Sequence, residues 1–173
     1  MGRPGNMLEA GRWFVLAGVI AGLDQWTKHL VQQVLSYGES VRITAFFDLV
    51  LVFNPGAAFS FLSSASGWQR DLFIGVAVAA SVFMSYLIVR HRSRIVFGVA
   101  LALILGGAVG NLVDRVLIHA VVDFLHFHIG EYSWPAFNLA DTAISCGAAL
   151  LILDAWLGHR AHAAIAASQE PRA

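Results

Sequence analysis

Apolar residues gather along this chain into four long stretches, at about 13–35, 70–90, 95–118 and 137–158, with the charged residues concentrated at their ends and between them. Crossing the hydrocarbon of a bilayer takes roughly 20 mainly apolar residues, and each stretch is near that length. The pattern predicts four transmembrane helices in a single membrane domain. The first stretch resembles a secretory signal in position, but no small-residue cleavage site follows it and three further spans do, so it is expected to be a retained helix. The segment after it differs. "VRITAFFDLVLVF" (41–53) is rich in β-branched and aromatic residues, "NPG" (54–56) is a turn signal, and "AAFSFL" (57–62) supplies a further short strand. These predict a small sheet over about 38–64, resting on the outer membrane surface. The connection at about 119–136 alternates in places, and its Tyr132 and Trp134 suit headgroup level. The Ala-rich end, about 161–173, is expected to be disordered.

Composition strengthens the membrane assignment. The chain is 58% hydrophobic and 13% charged, against about 25% charged in an average soluble domain. A formal net charge of zero argues against a nucleic-acid partner, which leaves a basic footprint. The single cysteine, Cys146, lies in the fourth stretch, has no partner for an internal disulfide and is expected to be an inert core residue. The sign of the charge gives orientation. "RHRSR" (90–94) joins spans two and three without an acid, Arg3 and Arg12 precede span one, and Arg160 and Arg172 follow span four. The other connections mix signs, with Glu39, Arg42 and Asp48 in one and Asp123 and Glu131 in the other. The positive-inside rule puts both termini and "RHRSR" in the cytoplasm and the two mixed connections outside.

Depth follows from helix rise. Arg94 to Asp114 is about 30 Å at 1.5 Å per residue, Arg160 back to Asp141 roughly 28 Å, and Arg12 to Lys28 about 24 Å, with Asp24 about 6 Å deeper. Three separately anchored helices thus bring their polar residues to one level, the outer edge of the hydrocarbon. Asn111, Asp114 and Arg115 stand at i, i+3 and i+4, Asp24 and Lys28 at i and i+4, and Asn138 and Asp141 at i and i+3, each set on one face. A charge turned to lipid costs about 2.5–3.5 kcal/mol or more, so these faces point inward. Gly106 and Gly110 give a GxxxG spacing that serves helix packing.

Several of these groups have plain structural explanations. Asp24 with Lys28, and Asp114 with Arg115, would serve as neutralising pairs; Asn54 would cap the Pro55-Gly56 turn; Asn111 and Asn138 would bond backbone across helices. Asp123 and Asp141 differ, because neither has a lysine or arginine within four positions. Intramembrane ionisable groups mark functional sites by default. Two carboxylates held together share one proton; the charged member activates a water and the protonated one polarises a carbonyl. That is aspartic-protease chemistry, and it requires neither metal nor cofactor. No H-E-x-x-H occurs, so a zincin site is unsupported. A Ser–Lys dyad of Lys28 with Ser60 or Ser63 has nothing local to fix it. His126 and His128 read as interfacial loop residues, and Asp48, Asp71 and Asp154 as solvated carboxylates at loops or span ends. From other classes, a proton-coupled transporter using Asp24, Lys28, Asp114 and Arg115 as a relay needs a path from both faces, whereas the polar level lies on one side and the cytoplasmic halves of the spans carry little besides apolar residues; a lipid-binding scaffold is the weaker alternative.

"DQWTK" (24–28), "NPGAAFSF" (54–61), "GGAVGNLVDR" (106–115), "VVDF" (121–124) and "FNLAD" (137–141) together resemble the bacterial lipoprotein signal peptidases (signal peptidase II), over about residues 11–160. The resemblance implies a membrane all-α bundle of four transmembrane helices with a small extracytoplasmic β-cradle and a short arm over the site, in the bacterial inner membrane. It also implies an endopeptidase, among membrane lipid, that acts on a prolipoprotein whose cysteine bears diacylglycerol and cuts just before that cysteine; the chain is expected to be a monomer. Asp123 and Asp141 take the positions of the family's catalytic pair. Asp24, Lys28, Asn54, Gly56, Asn111, Asp114, Arg115, Asn138 and Ala140 match positions that shape the site or hold the substrate backbone.

Overall fold

The computed structural model describes residues 7–56 and 68–169. Four long helices carry the fold: α1 (Met7–Val34), α2 (Trp68–Arg90), α3 (Ile95–Leu117) and α4 (Leu139–Gln169). Three are long and apolar enough to cross a membrane, over Arg70–Arg90, Ile95–Leu117 and Leu139–Leu157. The 28-residue α1 has the length, but Asp24, Gln25 and Lys28 interrupt its apolar run. α3 is the central helix, packing against each of the other three, and its glycines are what let it. A methyl group on Gly106 would lie 2.7 Å from the Ala17 carbonyl oxygen of α1, and one on Gly110 2.5 Å from Asp24 Oδ2. Gly107, on another face, leaves no room for a methyl against the Ala140 carbonyl of α4. The GxxxG spacing therefore serves close packing, as expected.

At one end of the bundle the helices are joined by Trp13 Nε1 donating to the Arg92 carbonyl (3.0 Å) and by an Arg94–Asp154 ion pair. Asp154 is thus paired rather than simply solvated. Next comes an apolar core of Trp13, Ala17, Ile88, Leu101, Ala102 and Leu105. Polar groups collect at the opposite end, beside a four-stranded antiparallel sheet of β1 (Ser40–Arg42), β2 (Phe47–Asn54), β3 (Val121–Ile129) and β4 (Tyr132–Ser133) in that order.

The sheet draws on both connections, not on the first alone. β3, with His126 and His128, is a strand rather than loop, and it pairs with β2 from Phe47↔Phe127 to Asn54↔Val121 across a bulge between Leu49 and Val52. Phe137 then bonds back to Leu125 in both directions (3.0 and 2.9 Å), pinning the chain to the sheet immediately before α4. The strand expected at 57–62, and the candidate serines Ser60 and Ser63, lie outside the described residues. At the C-terminus α4 continues to Gln169, where disorder was expected from about 161; five alanines between Ala161 and Ala167 have the highest helix propensity and carry the helix on.

Candidate active site

The site is built around the first turn of α4. Asn138 precedes the helix and its Oδ1 accepts the Asp141 N–H (2.9 Å), a side-chain N-cap. The neighbouring Ala140 N–H is taken by Asp24 Oδ1 of α1 at 2.8 Å. Two of the backbone donors that a helix start leaves free are thereby satisfied, and the orientation of Asp141 is fixed from both sides. Asn111 of α3 donates through Nδ2 to Asp141 Oδ1 at 2.7 Å.

Beneath lies a buried charge cluster. Lys28, 1% exposed, places its ammonium 2.7 Å from Asp24 Oδ2, 2.8 Å from Asp114 Oδ2 and 2.9 Å from Asn111 Oδ1. An ammonium has three N–H donors, and these acceptors use all of them. Asp114 also accepts the Val122 N–H (3.1 Å), fixing β3 one residue before Asp123. The cluster therefore grips the backbone beside Asp141 and beside Asp123: Asp24 holds Ala140, and Asp114 holds Val122.

Asp123, 3% exposed, accepts Asn138 Nδ2 on Oδ1 (2.7 Å) and Asn54 Nδ2 on Oδ2 (3.1 Å). Asn54 also caps its turn, with Oδ1 accepting the Gly56 N–H at 3.0 Å, so its turn and site contacts are the two ends of one amide. Burial and the nearby Asp141 charge push the Asp123 carboxyl up to about 7, although its two amide bonds pull the other way. Asp123 and Asp141 border one cavity of about 480 Å³ together with Asn54, Asn111 and Arg115. The Arg115 guanidinium spans this wall, donating to the Asn111 and Gly56 carbonyls (3.3 Å each) and lying 5.4 Å over the Phe73 ring. The cavity has polar groups at one end and α4 side chains along its side. Two acids and an array of amide donors at such a place can bind an extended peptide and move protons at its backbone.

A family model described as "Signal peptidase (SPase) II" matches residues 16–157, most of the chain. The chain belongs to the signal peptidase II family. Curated relatives agree. The lipoprotein signal peptidase of Azoarcus sp. (strain BH72) is 56% identical over 140 residues, 81% of this chain and 80% of the relative. That of Ralstonia nicotianae (strain ATCC BAA-1114 / GMI1000) is 54% identical over 152 residues, 88% of each chain. Among solved structures, a bacterial membrane enzyme determined by the in meso method at 2.3 Å superposes with a TM-score of 0.74 at 26% identity, over 94% of each chain. A second, at 1.9 Å, gives 0.73 at 27% identity, covering 83% of this chain and 92% of its own.

Within this member of the signal peptidase II family, the residues matched to the family's site positions, from Asp24 to Asp141, fall in or around this polar site. The expected pairings differ in one respect: Asp114 pairs with Lys28 of α1, not with Arg115. Adjacent helix positions point about 100° apart and do not face each other, so Arg115 is free to turn to the cavity wall. Cys146 is exposed and borders the cavity, which corrects its expected place in the core; α4 presents that face to the cavity and not to a helix. Two contributors were not foreseen. Gln25 donates to Asp114 Oδ1 (2.7 Å) and the Gly110 carbonyl (3.0 Å), closing the cluster beside Lys28; its position between Asp24 and Lys28 in "DQWTK" was the available signal. The Trp134–Phe137 segment forms the outer cavity wall, and only its pairing with the sheet reveals that.

Proposed function

We propose that this chain is an intramembrane aspartyl endopeptidase that removes the signal peptide from diacylglyceryl-modified prolipoproteins, cutting before the lipidated cysteine, with Asp123 and Asp141 as its catalytic pair. The single observation that carries this is the convergence of the two carboxylates on one cavity, each oriented by asparagine amides and each anchored through the backbone beside it. The shared proton rests on Asp123, whose carboxyl pKa is raised. Asp123 hands this proton to the scissile carbonyl while Asp141 takes one from the attacking water. Asp141 then gives its proton to the leaving nitrogen as the C–N bond breaks, and Asp123 takes back the hydroxyl proton. Arg115 and the Asn54 turn hold the substrate backbone, and the apolar surroundings limit bulk water, strengthening the electrostatics of the site. α1 is the fourth span, since Asp24 and Lys28, the charged groups within its apolar run, are buried against α3 and α4 rather than turned to lipid. Both termini lie in the cytoplasm and the sheet outside, in keeping with the arginine-rich α2–α3 connection. A transporter reading fares worse, because the apolar core beneath the cluster offers a proton relay no continuation.

A peptide assay in detergent tests this function. A synthetic prolipoprotein segment carrying diacylglycerol on its cysteine is expected to be cut once, before that cysteine, as identified by mass spectrometry. The unlipidated peptide is expected to be cut at least about tenfold more slowly, given roughly 0.8 kcal/mol per buried CH₂, and a chelator to leave the rate unchanged. Absence of any cut, or a cut elsewhere, rejects the reading.

The pH dependence has a definite sign. Protonated Asp123 is the active form, and its pKa stands at about 7, so kcat is expected to fall as pH rises through 7, approaching tenfold per unit above about 8. A carboxyl at its ordinary 3.8 would already have lost its proton by pH 6. A kcat still rising between pH 7 and 9 contradicts Asp123 as the proton donor.

A further inference from the structure

A second cavity, of about 330 Å³, opens on the sheet side of the first. The two share Asn54, Asp123 and the Trp134–Ala136 segment, so Asp123 stands at their junction. Asp141, Thr142 and Cys146 border only the first, on the α4 side; His126 and Ser133 border only the second. A peptide with its scissile carbonyl at Asp123 and Asp141 therefore has one flank along α4 and the other against the sheet. The apolar signal segment and the acyl chains belong beside α4, at membrane depth, which leaves the sheet side for the chain beyond the cysteine.

His126 and Ser133 give this second cavity a defined polarity. His126 Nε2 lies 2.6 Å from Ser133 Oγ, while its buried Nδ1 is 3.7 Å from Asp48 Oδ2. Asp48 is also 3.2 Å from His128 Nε2 and 3.4 Å from Arg42 Nε. The Asp48 charge favours the tautomer with its proton on His126 Nδ1. Nε2 then accepts the Ser133 hydroxyl hydrogen, and the hydroxyl oxygen is left as an acceptor.

We infer that this second cavity is the subsite for the side chain immediately after the lipid-bearing cysteine, that His126 and Ser133 form its polar wall, and that it prefers a neutral hydrogen-bond donor. The inference rests on the peptidase reading above. A carboxylate at that position brings acceptor against acceptor near Asp48, and an apolar chain leaves the serine oxygen unmatched.

Three lipidated peptides differing only at that residue, with Asn, Leu or Asp, test it, because the three side chains are nearly the same size. Wild type is expected to favour Asn over Leu and over Asp by about tenfold in kcat/KM, the scale of one hydrogen bond. In His126→Leu and in Ser133→Ala the Asn:Leu ratio is expected to fall toward one, through a higher KM on the Asn peptide. Ser133→Ala, at an exposed position, serves as the deciding variant if His126→Leu lowers the melting temperature. A wild-type ratio near one overturns the subsite, and so does a ratio that survives both substitutions. An equal fall in kcat on all three peptides also overturns it, by placing His126 in the chemistry. Wild type cutting none of the three rejects the peptidase reading itself, a result distinct from cleavage without discrimination.

Discussion

Replacing Asp141 with asparagine is expected to lower the cleavage rate of a lipidated prolipoprotein peptide by about 10³-fold or more, within the range of lost general acid–base catalysis, while the protein stays folded. Both halves follow from the contacts. Asn111 Nδ2 donates to Asp141 Oδ1, and the cap bond from Asn138 engages the backbone N–H of Asp141. An asparagine side chain still offers an oxygen to Asn111, so the architecture survives and only the proton acceptor is lost. The matching change at Asp123 is a less clean test. Both of its oxygens accept amide N–H groups, from Asn54 and Asn138, and an amide there would set donor against donor at one of them. Asp123→Asn is therefore expected to lose activity and also about 1–3 kcal/mol of stability. Cleavage rates and melting temperatures in the same detergent separate these effects. Wild-type turnover by Asp141→Asn disproves the dyad.

Lys28→Met is expected to be the most destabilising single change in the bundle. The ammonium is buried between Asp24 and Asp114, with every N–H satisfied. Methionine fills nearly the same volume but leaves two buried carboxylates facing each other without a cation. Breaking a buried pair from one side costs about 3–5 kcal/mol. At about 2–4 °C per kcal/mol for a chain of this size, the melting temperature is expected to drop by about 6–20 °C. Asp114→Asn in the Lys28→Met background is expected to restore part of the loss, because removing both partners costs less than stranding one. An unchanged melting temperature in Lys28→Met means the cluster contributes nothing to stability.

Helix rise and helical facing were enough to read from the sequence that Asp24, Lys28, Asn111, Asp114, Asn138 and Asp141 meet at one depth. Period and length are local quantities, and the chain states them directly. Partner choice is not local. Which carboxylate Lys28 takes depends on how α1 and α3 are rotated about their contact, and the Gly106–Gly110 face that sets this rotation gives closeness without register. The sheet was half legible for the same reason. β2 announces itself through its β-branched and aromatic run, but its pairing with β3 joins segments some 70 residues apart, as Val52↔Asp123 does, and no pattern within either strand specifies the other. Cys146 was misplaced because an apolar stretch looks alike whether it faces a neighbouring helix or a cavity. The family resemblance supplied the motif positions; the contacts among them, and the part of Gln25, depend on how the helices pack.

Asp24 grips the backbone of α4 and Asp114 that of β3, so neither acid of the proposed dyad is oriented by its own segment alone. Ribosomal synthesis delivers α1 first and α4 last. If the proposed dyad holds, a nascent chain inserted through α3 carries Asp123 without Asp141, and the site is complete only once α4 docks against Asp24. On the proposed pairing, the order of synthesis alone keeps the two acids apart until the last helix is in place.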